Sequence, residues 1–130
     1  KYFAYTGNTN WGVQNLAYDA ETGKMFMAVY KGRKSIFKNY DMFVFDVAEK
    51  PVKKSLAGVL YDRTKHKVIG SQDAPVPGFY FKYGSTGMCP VGNGLFYFAE
   101  PGKNAETGKQ YSRTRLYRWT GDSAKPFERL

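Results

Sequence analysis

Histidine and cysteine each occur once, as His66 and Cys89, and that scarcity removes most of the chemistry a chain of this size could carry. One cysteine cannot close an internal disulfide or build a cysteine metal cluster. Neither a Ser-His-Asp constellation nor a His-Glu-x-x-His pattern can be built around His66, so no metal and no cofactor is expected. Runs of about 18 apolar residues are missing, as is a signal-type apolar segment at the start, so the sequence predicts no membrane span. Leu and Ile are sparse, and apolar residues nowhere recur at i, i+3, i+4 and i+7 over three turns, which predicts essentially no helix. Acidic residues are also in short supply: 11 stand against 20 Lys and Arg, for a net charge of +9. Such an excess sets up a positive field that attracts anionic partners.

What the sequence has instead is aromatic residues and turn formers. Eleven Tyr and ten Phe favour strands, because aromatic and β-branched side chains suit a pleated, half-buried surface. Fourteen Gly and six Pro supply turns between them. The organising stretch is Asn15 to Tyr30, a hairpin with arms from Val13 to about Tyr18 and from Lys24 to Tyr30. Asp19-Ala-Glu-Thr-Gly23 joins the arms; Asp caps such a turn through its side chain, and Gly takes the left-handed conformation that a short hairpin loop needs.

Other segments extend the pattern. Lys1 to Tyr5 is a short aromatic strand candidate, Lys31 to Asn39 a basic loop, and Asp41 to Val47 another strand. Ala48 to Ser55, with Pro51, Lys50, Lys53 and Lys54, reads as a solvated connection. Gly58 to Asp62 and Lys67 to Ile69 read as a second hairpin in the register of the first, which places His66 at an exposed turn tip. Ser71 to Gly78 is irregular, and Phe79 to Tyr83 is a strong strand candidate.

From Tyr83 onward the outline of residues 11 to 47 returns. Trp11-Gly12 matches Tyr83-Gly84, Leu16-Ala17 matches Met88-Cys89, Ala28 matches Ala99, and Phe43 matches Leu116, at separations of 72, 71 and 73 residues. Repeats of three or four antiparallel strands joined by short hairpins predict propeller-type sheets. On this outline the chain resembles two blades of a β-propeller, of the sort found in repeat-built extracytoplasmic bacterial proteins. The expected fold is therefore all-β, with antiparallel hairpins in blade-like repeats at about 11–47 and 83–121 of a single unit spanning 1–130. A compact β-sandwich or barrel is the alternative. Two blades cannot close a propeller, so the resemblance implies further blades from a longer parent chain or from other copies. Lys1 to Tyr5 is the candidate outer partner for Arg113 to Trp119.

Function is read from the residues at equivalent strand starts. Trp11, Gln14 and Asn15 in one repeat, and Tyr83, Ser85 and Thr86 in the other, combine aromatic faces with hydrogen-bonding groups that suit sugar rings or peptides. Arg113, Arg115 and Trp119 alternate onto one strand face and form a weaker candidate for holding anions. Cys89 aligns with Ala17 and reads as a buried small hydrophobe. Ala20-Glu-Thr-Gly-Lys24 recurs as Ala105-Glu-Thr-Gly-Lys109, and both copies read as turns, since a phosphate loop needs a following Ser or Thr and a helix. The carboxylates left for glycosidic chemistry are Asp41, Asp46 and Glu100. The sequence thus predicts a non-enzymatic binding or scaffold module for glycans or anionic polymers, in an extracytoplasmic setting. Its alternatives are the non-catalytic part of a carbohydrate-active hydrolase and a nucleic-acid-binding domain.

Overall fold

Alternation of apolar and polar side chains builds eleven strands in the computed structural model, which describes residues 3–7, 12–30, 40–55, 65–71 and 73–130. In order they are β1 (Phe3–Ala4), β2 (Val13–Asp19), β3 (Lys24–Val29), β4 (Met42–Asp46), β5 (Val52–Lys54), β6 (His66–Ile69), β7 (Gly78–Phe79), β8 (Met88–Gly92), β9 (Leu95–Lys103), β10 (Gln110–Trp119) and β11 (Phe127–Arg129). No helix occurs among the described residues, as the missing helical periodicity requires. The all-β expectation holds.

The strands form three open sheets, and none closes into a barrel. A first four-stranded sheet has the order β2-β3-β4-β7, and a second has β8-β9-β10-β11. Both are antiparallel throughout. A small sheet of order β1-β6-β5 is made by a hairpin inserted between β4 and β7, with β1 added in parallel. The pairing register slips at opposite ends of the two leading strands, between Val13 and Asn15 at the start of β2 and between Pro90 and Gly92 at the end of β8.

The β2–β3 turn is built as its sequence dictates. Asp19 Oδ2 accepts from the Thr22 hydroxyl at 2.6 Å and from the Thr22 amide at 3.3 Å, and Gly23 takes φ of +67°. On β3 and β4 both faces are apolar, as expected of strands covered on both sides. Phe26, Ala28, Met42 and Val44, with Ala17, pack against Phe96, Phe98, Tyr117 and Phe127 of the second sheet. Met27, Val29, Phe43 and Phe45 face the other way, against Ile69 and Val76. The first sheet is therefore the middle layer of three. Its inter-sheet core is aromatic, with Phe26 and Phe96 rings 4.6 Å apart and tilted edge to face. Burying one such Phe contributes about 1.5–3 kcal/mol.

Several expectations change. The outer partner of β10 is β11 rather than residues 1 to 5, because β1 pairs with β6 instead. His66 lies within β6, half-buried, with its ring 5.0 Å from that of Phe3. The expected turn-tip position gives way because β6 pairs with β5, which lies inside the segment 48–55 expected to be a connection. Only Gly78–Phe79 of the aromatic run near 79–83 is strand; Phe81 and Tyr83 leave the sheet to pack on the core between the layers. Cys89 is exposed, not buried. Trp11, Lys31 to Asn39 and Gly58 to Asp62 lie outside the described residues.

Candidate functional site

The two repeats meet along β2 and β8, and their strand starts come together there. The side-chain amide of Asn15 donates to the carbonyls of Gly84 at 2.8 Å and Ser85 at 2.9 Å. Both of its N–H donors are thereby engaged. At the other end of the same contact, the Asn93 amide donates to Glu21 Oε2 at 2.5 Å, joining the β8–β9 turn to the β2–β3 turn. Gly84 is fixed in this junction by conformation and by space. Its φ is +113°, and a Cβ there would stand 3.0 Å from Ala28 Cβ and 3.1 Å from Met42 Cε.

Of the remaining strand-start residues, Gln14 and Thr86 are exposed and Ser85 is half-buried. The Tyr83 ring packs 5.6 Å from Phe81 and 6.1 Å from Tyr117, with Lys82 Nζ 5.0 Å from its centroid. Its aromatic surface is largely engaged within the protein. Beside it, the Tyr117 hydroxyl donates to Glu100 Oε1 at 2.5 Å, and Arg129 Nε stands 4.0 Å from the same oxygen. Burial, together with the bond to the Glu100 carboxylate and its charge, pushes the Tyr117 phenol well above the usual tyrosine range. The hydroxyl stays a donor at any physiological pH.

Arg113, Arg115, Tyr117 and Trp119 do share one face of β10, but that face runs from solvent into the core. Arg113 lies over the Tyr111 ring at 5.0 Å, Arg115 is half-buried with its Nε buried and unpartnered, and Tyr117 and Trp119 pack against the first sheet. The arginines and the indole therefore do not form one continuous surface.

A different place combines aromatic and polar groups. At the opposite end of the sheets, an open cleft of about 290 Å³ is lined by Lys24, Asp46, Glu49, Phe79 and Trp119, with Val44, Phe45, Pro77 and Gly121. The Trp119 ring meets Phe26 and Phe79 edge to face, each at 5.1 Å, so its position is held by packing. Lys24 and Asp46 are cross-strand partners at the mouth. Asp46 Oδ1 also accepts from the Ala48 amide at 2.8 Å. No local motif marks this cleft, because its lining is spread over β3, β4, β7, the end of β10 and the connections between them. Only the strand pattern of Trp119 pointed toward it. Among the described residues, no group of three His, Cys, Asp or Glu side chains is placed to hold a metal ion. No helix there is long and apolar enough to cross a membrane.

No protein-family model, curated protein or solved structure matches this chain.

Proposed function

We propose that this chain is a non-catalytic module of blade-like repeats that binds a glycan in the Phe79–Trp119 cleft. The observation that carries the reading is an aromatic floor beside a mixed-charge rim. Sugar rings present apolar faces to aromatic side chains and hydroxyls to groups such as Lys24, Asp46 and Glu49. The volume suits one ring or two. Two antiparallel four-stranded sheets of like strand order, stacked face to face, support the blade reading. The carboxylates support a non-catalytic role, since Asp19, Asp46 and Asp122 accept turn amides and Glu100 accepts the Tyr117 hydroxyl. An extracytoplasmic setting would put such a module where glycans are met.

The test uses Trp119 fluorescence in a Trp11→Phe background, titrated with neutral and acidic oligosaccharides. A saturable change is expected, weakened about tenfold, or about 1.4 kcal/mol, by Lys24→Ala or Glu49→Ala. An absence of saturable response across the panel overturns the reading, as does a response that the double variant leaves intact.

A second reading, binding of an anionic polymer, has its own observation. The β5–β6 register sets Lys53 directly opposite Lys67, both exposed, with Lys50 and Lys65 in the adjoining segments. Like charges in such a cross-strand pair are destabilising until an anion neutralises them. Heparin affinity should then fall steeply with salt, and Lys53→Ala should lower the slope of log K against log salt by about one. A slope unchanged by Lys53→Ala and Lys67→Ala sinks this reading.

A further inference from the structure

The repeat register assigns a use to a face the fold leaves open. In the first sheet, Ala17, Phe26 and Val44 stand side by side across β2, β3 and β4. They are 6%, 0% and 5% exposed, because the second sheet lies on them. The row with the same register in the second sheet is Cys89, Tyr97 and Leu116 across β8, β9 and β10, so Leu116 is the counterpart of Val44 and not, as the sequence outline suggests, of Phe43, which lies on the other face. It continues to Leu130, whose amide donates to the Leu116 carbonyl at 3.0 Å, as the Val44 amide in the first sheet donates to Pro77. This row faces away from the core. Tyr97 is 44% and Leu130 54% exposed, Cys89 is exposed and Leu116 half-buried. Leu95 widens the apolar area, and Arg118 and Glu128, a cross-strand pair, border it.

We propose that this outer face of the second sheet is the interface of a two-fold dimer, covered by the same face of a second copy of this chain. The repeat argues for a four-stranded sheet as the covering layer, since such a sheet covers the equivalent row within the chain. A second copy has one such face to offer. Both faces of its first sheet and the inner face of its second are already packed. An isologous arrangement also lets Arg118 of one copy approach Glu128 of the other, a carboxylate that holds Lys125 at 3.0 Å within its own chain, so charges of opposite sign meet across the two-fold axis. The inference rests on strand register and is independent of the glycan reading.

The test is the solution mass of the full chain over a range of concentrations, combined with the rate of Cys89 alkylation by a maleimide. The expected result is a species of twice the 14.8 kDa chain mass, with Cys89 protected in proportion to the dimer fraction. Tyr97→Lys and, separately, Leu130→Lys should each return the monomer and make alkylation independent of concentration. Tyr111→Lys, an exposed aromatic on the opposite face of β10, should leave both readouts unchanged. A monomer with freely reactive Cys89 at every concentration overturns the proposal and leaves the face to a further sheet of a longer parent chain. A dimer that survives both lysine variants overturns it too.

Discussion

The row Ala17, Phe26, Val44 and the row Cys89, Tyr97, Leu116 occupy the same register in two sheets of the same strand order, yet one is core and the other is surface. The difference lies outside the strands themselves. Strand periodicity decides which side chains share a face, whereas burial depends on what covers that face. Phe26 is fully buried only because Phe96, Phe98 and Phe127 are laid over it. Tyr97, its counterpart, has a hydroxyl at its tip and, among the described residues, no layer above it.

The largest effect that would test this contrast comes from truncating both counterparts. Phe26→Ala opens a cavity in the inter-sheet core and should destabilise the fold by about 3–5 kcal/mol. Tyr97→Ala, measured by urea unfolding in dilute solution, should cost under about 1 kcal/mol, as surface substitutions commonly do. Equal losses at the two positions would mean that Tyr97 is covered within the single chain, and the contrast would collapse.

A smaller effect separates the inner face of the second sheet from its outer face through pH. Tyr117 keeps its proton in the folded protein because burial and Glu100 oppose the phenolate. In the unfolded chain a tyrosine ionises near about pH 10. The folded value is raised, so the associated stability is fully present below about pH 10 and is lost as pH climbs beyond it. Tyr117→Phe should cost about 1.5–3 kcal/mol at neutral pH, because it removes a hydrogen bond to a charged group. It should also flatten the loss of stability in alkali. Replacing exposed Tyr97 by Phe should cost under about 1 kcal/mol at neutral pH; a loss equal to that at Tyr117 would break the distinction between the faces.

Much of the fold was legible because it follows from local rules. The β2–β3 hairpin, the recurrence of its register near residue 83 and the absence of helix rest on alternation and on Asp19 and Gly23. Errors arose where a tertiary neighbour decides. Cys89 was read as buried because Ala17 is, though the register carries no information about the covering layer. Nothing local marks β5, since Val52-Lys-Lys54 is short and basic, and its pairing with β6 puts His66 in a strand and not in a turn. The cleft around Trp119 was invisible for a related reason: Lys24, Asp46, Phe79 and Trp119 come from four separate strands. Asn15, expected from the sequence to meet a ligand, instead donates its side-chain amide to the Gly84 and Ser85 carbonyls and so joins the two repeats.

The smallest expected effect concerns one pentapeptide in two places. Ala-Glu-Thr-Gly-Lys occupies 20–24, turning β2 into β3, and 105–109, turning β9 into β10. These are non-equivalent corners of their sheets, so the identity of the five residues reports turn chemistry and not the blade register. The residue before each copy closes the turn. Asp19, 2% exposed, accepts from Thr22, whereas exposed Asn104 accepts from the amides of Glu106 and Thr107 at 2.9 and 2.8 Å. Capping side chains of this kind contribute about 0.5–2 kcal/mol. Asp19→Ala should fall at the upper end, since it empties a buried position and leaves the half-buried Thr22 hydroxyl and amide without their acceptor. Asn104→Ala should fall at the lower end, because water replaces the lost oxygen on an exposed hairpin tip. Denaturant midpoints of the two single variants decide the matter: a larger loss at Asn104 would show that the projecting β9–β10 hairpin, and not the β2–β3 corner between the sheets, limits the stability of the whole.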